Sequence, residues 1–203
     1  MPESMSIERQ KIMTAYGAEL VLTPKETGMK GSVDKANELK AKYPNSFIPM
    51  QFANPDNPKA HQKTADEIYQ ALDGQQAVVV AGIGTGGTAC GIKKYLKDSI
   101  VFGVEPAESP LFTKGFAGPH KIQGIGANFV PEIARNNNLD GIITVIGDNA
   151  INEAKDLARH YGIFCGISAG ANVYAAKQLA LQYHEKPIVA IIPDSGERYL
   201  SVW

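Results

Sequence analysis

Residues 81–88 read Ala-Gly-Ile-Gly-Thr-Gly-Gly-Thr, and four glycines within positions 82–87 leave a run of backbone N–H groups with no side chains in front of them. An apolar run at 77–80 precedes this segment and a helical pattern follows it. The N–H groups and the positive end of the helix dipole therefore converge on one small volume. That is a cradle for a phosphate, with Thr85 and Thr88 adding hydroxyl donors. The bland alternative is a tight strand-to-helix turn that needs small residues for packing alone.

Which phosphate is a separate question. Gly82, Gly84 and Gly87 also satisfy G-x-G-x-x-G, and Glu105 ends the next apolar run 18 residues later, where a dinucleotide site would place its ribose-binding carboxylate. On local physics an NAD-binding Rossmann oxidoreductase and a single-phosphate cofactor are equally open. Two details count against the nicotinamide. Two or more βα units are expected ahead of the loop, whereas a dinucleotide fold carries its fingerprint at the first βα turn. Pro106 also follows Glu105 directly.

Ser168, where an apolar run meets a helical one, reads as a helix cap or as a hydroxyl aimed at a ligand. Cys90 and Cys165 sit in or beside apolar runs, far apart, and are expected as reduced, buried thiols. His61, His120, His160 and His184 lack the short spacing of metal ligands, so no metal is expected.

The elements that position these residues alternate. Helices are expected over 6–16 (capped by Ser6, ended by Gly17), 30–42, 58–72, 88–96, 148–161 (capped by Asp148, ended by Gly162) and 169–183. Strands are expected over 19–23, 47–50, 77–80, 100–104, 142–146, 163–167 and 188–192. The unbroken apolar run at 77–80 is that of a strand covered on both faces, which means a parallel sheet. The order predicts an α/β doubly wound fold with ligands beyond the C-terminal strand ends. A long Gly-, Pro- and Asn-rich stretch at 106–140 is expected to be functional.

Lys plus Arg number 20 against 21 Asp plus Glu, so no net field attracts nucleic acid or an acidic membrane. No apolar stretch approaches the roughly 20 residues needed to span a bilayer, and the start is not a signal peptide. A soluble, cytoplasmic protein is expected.

Several further segments carry a resemblance. They are 1–6 with Glu8-Arg9, Gln51-Phe52 with Asn54-Pro55, Glu105-Pro106-Ala107 with Ser109-Pro110, Gly118 through Ala127, 166–171 (Gly-Ile-Ser-Ala-Gly-Ala) and 193–199 (Pro-Asp-Ser-Gly-Glu-Arg-Tyr). Together with the glycine loop, and in this order, they resemble the cysteine synthase (O-acetylserine sulfhydrylase) family of fold type II pyridoxal-phosphate enzymes, over the family's C-terminal two-thirds. The resemblance implies a mainly parallel, doubly wound sheet. Residues 1–50 would be the remainder of a small, incomplete N-terminal domain and 51–203 the large cofactor-binding domain.

It also implies pyridoxal 5'-phosphate as cofactor, with its phosphate on Gly84, Thr85, Gly86, Gly87 and Thr88 and its ring nitrogen on Ser168. A neutral hydroxyl there does not favour a protonated ring, which biases chemistry toward β-elimination and replacement. Asp194 and Ser195 would buttress the same ring edge. Gln51, Gln123 and Gly124 would line the substrate side, with His120 and Lys121 as loop-positioning or surface residues. The implied reaction is β-replacement of O-acetyl-L-serine by sulfide to give L-cysteine and acetate. A cystathionine β-synthase-like activity is an alternative. The family also implies a homodimer and binding of the serine acetyltransferase C-terminal tail, which a non-catalytic module could do as well.

Two family signatures do not occur in these 203 residues: the segment with the Schiff-base lysine and the Thr-Ser-Gly-Asn-Thr-Gly loop that grips the substrate carboxylate. No catalytic residue is therefore assigned. Truncation at both ends, exposed apolar surface and negligible activity of the chain alone are the expectations that follow.

Overall fold

The computed structural model describes residues 1–135 and 138–202; Asn136, Asn137 and Trp203, which fall in the irregular stretch and the tail considered above, lie outside the described residues. The central element is strand β1 (Val78–Gly82), where the β-branched run forces an extended backbone. Strand β2 (Ile100–Pro106) pairs with it on one side and strand β4 (Ile188–Ala190) on the other, while strand β3 (Gly141–Val145) pairs with β2. All three pairings are parallel, in the order β3-β2-β1-β4.

The helices are α1 (Ile7–Ala15), α2 (Gly28–Lys42), α3 (Asp56–Ala60), α4 (Gln62–Ala71), α5 (Gly87–Tyr95), α6 (Leu111–Lys114), α7 (Glu132–Arg135), α8 (Gly147–Tyr161) and α9 (Ile167–Ala180). They cover both faces of the sheet, and the pleat shows it. Val78 and Val80 are fully buried in a cluster with Ala171, Ala175 and Leu179 of α9, whereas Val79 packs with Ala65 and Ile68 of α4 and Ile92 of α5. Each fully buried valine contributes roughly 1.5–3 kcal/mol relative to exposure. The doubly wound α/β architecture is as expected.

Several local expectations are corrected. No strand forms at 19–23 or 47–50; the first contributes only an isolated bridge between Pro2 and Thr23. β1 is thus the first strand among the described residues, and the two βα units expected ahead of the glycine loop do not form within them. Residues 163–167 also form no strand: Cys165 makes a lone antiparallel bridge to Ser195, and Ile167 already opens α9. The helix expected over 58–72 is broken at His61 into α3 and α4.

Capping differs too. Ser6 occupies the N-cap of α1, but its hydroxyl donates to Arg198 O at 2.5 Å instead of capping. Asp148 lies inside α8, whose N-cap is Ile146, and its carboxylate pairs with Lys121 at 2.7 Å. Gly162 ends α8 in the left-handed region, as expected.

Candidate cofactor site

β1 lies between β2 and β4, so the chain leaves it for one side of the sheet and returns to the other. A crevice opens at such a switch point, beyond the strand's C-terminal end. A cavity of about 410 Å³ occupies it, lined by Arg9, Ala81, Gly82, Gly84, Thr85, Gly86, Gly87, Thr88, Gly124, Ile125, Ser168, Asn172, Ile191, Pro193, Asp194 and Arg198. The two ends of the chain thus contribute to a site built around its middle. No lysine is among the lining residues.

The glycine loop forms one wall. Gly86, at the N-cap of α5, has φ 85°, and the first-turn N–H groups of that helix have no intrahelical acceptors. A Cβ on Gly84 would overlap the carbonyl oxygen of Gly124, so the loop at 120–126 lies directly on the glycine loop, an approach also fixed by Gly126 N donating to Ile83 O at 3.0 Å. Thr85 Oγ1 accepts from Asn57 Nδ2 at 3.0 Å and from Gly87 N at 3.1 Å. With both lone pairs used, its proton is left for an acceptor, which suits an anion. Thr88 Oγ1 pairs with His61 Nε2 at 3.1 Å, and burial pushes the His61 pKa down, keeping the imidazole neutral.

The facing wall comes from the start of α9 and the segment after β4. Ser168 is buried in the first turn of α9, and its hydroxyl makes no hydrogen bond among the described residues. The helix N-cap is Gly166, so capping does not occupy that hydroxyl. Asp194 receives the Tyr199 hydroxyl at 2.5 Å and an ion pair from Arg9 at 3.6 Å on Oδ2. Burial first, then the Asp194 charge, pushes the Tyr199 pKa up and keeps that hydroxyl a donor. Asp194 Oδ1, Arg9 Nε and Asn172 Oδ1 are buried without partners.

Of the residues singled out in the sequence, Gly84, Thr85, Gly86, Gly87, Thr88, Gly124 and Ser168 are thus brought to one cavity. Gln51 and Gln123 do not line it. Gln51 is exposed, and its carbonyl accepts from Asn57 Nδ2 at 2.8 Å; Gln123 Oε1 accepts from Ser6 N at 3.2 Å, and its amide N–H₂ makes no hydrogen bond among the described residues. His120 holds the loop closed through Gly126 O at 3.0 Å, and Lys121 is exposed. Glu105 is 1% exposed and accepts from Phe112 N, Thr113 N and Thr113 Oγ1, so its carboxylate is engaged with α6 and is not free for a ribose. Asn57, His61, Arg9 and Asn172 were given no role at the site: each meets the cavity wall through a contact distant in sequence, with no local pattern to betray it.

The residues fit a phosphorylated heterocycle: a glycine cradle with spare N–H donors and a threonine proton at one side, an unpaired serine hydroxyl at the other. Cys90 and Cys165 are free thiols, and burial raises both pKa values. No described helix is long and apolar enough to cross a membrane.

The family model described as "Pyridoxal-phosphate dependent enzyme" matches residues 1–194. Cysteine synthase B of Campylobacter jejuni is 52% identical over 206 residues, covering 99% of this chain and 69% of that protein. The crystal structure of cysteine synthase from Entamoeba histolytica superimposes with a TM-score of 0.90 at 42% identity, covering 100% of this chain and 62% of the other. That of an O-acetylserine-dependent cystathionine β-synthase from Helicobacter pylori gives a TM-score of 0.94 at 39% identity, covering 100% and 68%. The chain spans about two-thirds of the length of these relatives.

Proposed function

The chain belongs to the pyridoxal-phosphate dependent enzyme family, and on that premise we propose that its cavity is the cofactor wall of a cysteine synthase, which replaces the acetate of O-acetyl-L-serine by sulfide to give L-cysteine. The observation that carries the reading is the pairing, across one cavity, of a glycine cradle with a buried hydroxyl that has no protein partner. Gly84, Gly86, Gly87 and the Thr85 and Thr88 hydroxyls hold the phosphate, and Ser168 meets the ring nitrogen. When bound, the cofactor supplies an electron sink for bond-making and bond-breaking at the amino acid's β-carbon.

The chain's own residues do the rest by positioning. His61 and Asn57 fix the two threonine hydroxyls so that their donors are set before the phosphate arrives. Gly124 brings backbone against the glycine loop and excludes water from that edge. The family resemblance supports a substrate side at Gln51 and Gln123, outside this cavity, with residues 1–50 as small-domain remainder and 51–203 as large domain. Assembly as a homodimer, capture of the serine acetyltransferase tail and a cytoplasmic location complete the proposal on the family resemblance. A second reading, in which a larger thiol replaces sulfide, is favoured by the likeness to the Helicobacter pylori enzyme.

Titrating the chain with pyridoxal 5'-phosphate tests the cofactor wall. Saturable binding at one site, competed by inorganic phosphate, is expected, with no adduct on cavity residues after borohydride because no lysine lines it. Fusing the part of the Campylobacter jejuni relative that the chain does not match then tests the reaction. Cysteine from O-acetylserine and sulfide is the expected product; a fusion that folds and binds cofactor yet makes none overturns it.

A further inference from the structure

We propose that Asn57 is a positioning residue through which an anion in the glycine cradle tightens the loop at 49–57, so that the segment bearing Gln51 is set by the cofactor's phosphate. The inference rests on the cofactor reading above and deepens it.

One side-chain amide joins the two segments. Asn57 Nδ2 carries two hydrogens and both are engaged, one by Gln51 O at 2.8 Å and the other by Thr85 Oγ1 at 3.0 Å. The orientation is fixed, because Gln51 O can only accept and a flipped amide would set two carbonyl oxygens against each other. Asn57 Oδ1 lies on Gly87, where an added Cβ would overlap it, so the glycine that opens α5 also admits the amide. Thr85 Oγ1 takes a second hydrogen from Gly87 N at 3.1 Å, which leaves its own proton for a ligand.

On the other side of that amide the loop is strained. Met50 has φ 54°, a left-handed conformation that residues other than glycine seldom adopt. Its carbonyl accepts from Ala53 N and Asn54 N, each at 2.8 Å. Phe52 is tied through its carbonyl to Ile133 N at 3.2 Å and through its ring to Phe129, edge-on at 4.9 Å. Between them, the Gln51 carbonyl is held by Asn57 alone among the described residues. A hydroxyl that donates to a phosphate becomes a stronger acceptor, so filling the cradle strengthens the bond from Asn57 to Thr85. An amide already fixed by Thr85 loses less freedom in holding Gln51 O, and the loop closes more firmly. The converse also holds: a closed loop presets the Thr85 proton for the anion.

Inorganic phosphate is the probe, and the readout is hydrogen exchange at Ala53 and Asn54, whose N–H groups close the turn on Met50. Saturating phosphate should slow their exchange in the wild-type chain about fivefold, the low end for coupled sites. Asn57→Ala should abolish that slowing and weaken phosphate binding by a similar factor, because a coupling acts equally in both directions. Thr85→Val should bind phosphate more weakly and show no slowing even at saturation. If Asn57→Ala speeds exchange yet leaves the slowing by phosphate intact, Asn57 is a structural tie only and the proposal is overturned. Should the variants not fold, the wild-type chain decides: the Asn57 amide hydrogen directed at Thr85 should move downfield in its proton NMR signal as phosphate binds, and an unmoved signal overturns the proposal. No phosphate binding by the wild-type chain brings down the cofactor reading as well, whereas binding without slowing overturns this inference alone.

Discussion

Thr88 takes its hydrogen-bond partner from His61, whose other ring nitrogen lies 3.3 Å from the Thr64 hydroxyl. Burial lowers the His61 pKa below 6.5, so the unfolded chain binds a proton more readily than the folded one. Stability from this group is fully present above pH 6.5 and is lost as pH falls through the lower folded-state value. Thermal melts between pH 5 and 7.5 should therefore show a drop on the acid side that His61→Gln, which cannot titrate, lacks. Equal acid sensitivity in both proteins would show that His61 is not the group responsible. At this scale the sequence was legible wherever chemistry is local: Gly84 through Thr88 and Ser168 needed only their own neighbours. Asn172 and Arg9 were illegible, because what sets them on the cavity wall is Ile191 O for one and Asp194 with Tyr199 for the other.

Helices α8 and α9 pack backbone against backbone at Gly170, where an added Cβ would overlap Ala150 O and lie 2.7 Å from Ala154 N. Both helices are regular there, so neither backbone can yield locally. Gly170→Ala should destabilise the chain by about 3 kcal/mol, at the upper end of overpacking costs, despite the better helix propensity of alanine. Chemical denaturation measures it, and a neutral or stabilising result would mean that the helix pair slides freely. Elements with a covered face were readable from sequence, as the valines of β1 show. Strands at 19–23 and 47–50 were misread because an extended, apolar segment becomes a strand only when a neighbour supplies hydrogen-bonding partners. Ser6 and Asp148 were misread as caps because each has a better partner far away, Arg198 O and Lys121.

Across the whole molecule stability is uneven. The sheet and its helices bury whole side chains, whereas α1 and α2 contain no buried residue and Ile7, Ile12, Met13, Tyr16, Leu22 and Phe47 are exposed. Hydrogen exchange should therefore be faster by at least tenfold in α1 and α2 than in β1 and β2. Uniform protection would show that the first 50 residues are anchored more firmly than their burial implies.

Their anchors run to the far end of the chain: Glu8 accepts from both the N–H and the hydroxyl of Ser201, and Arg9 reaches Tyr199 and Asp194. Asp194 and Arg198 thus line the cavity while Tyr199 and Ser201 pin α1, so the glycine cradle gains its opposite wall only when segments distant in sequence have met, and a folded central sheet does not by itself make the site.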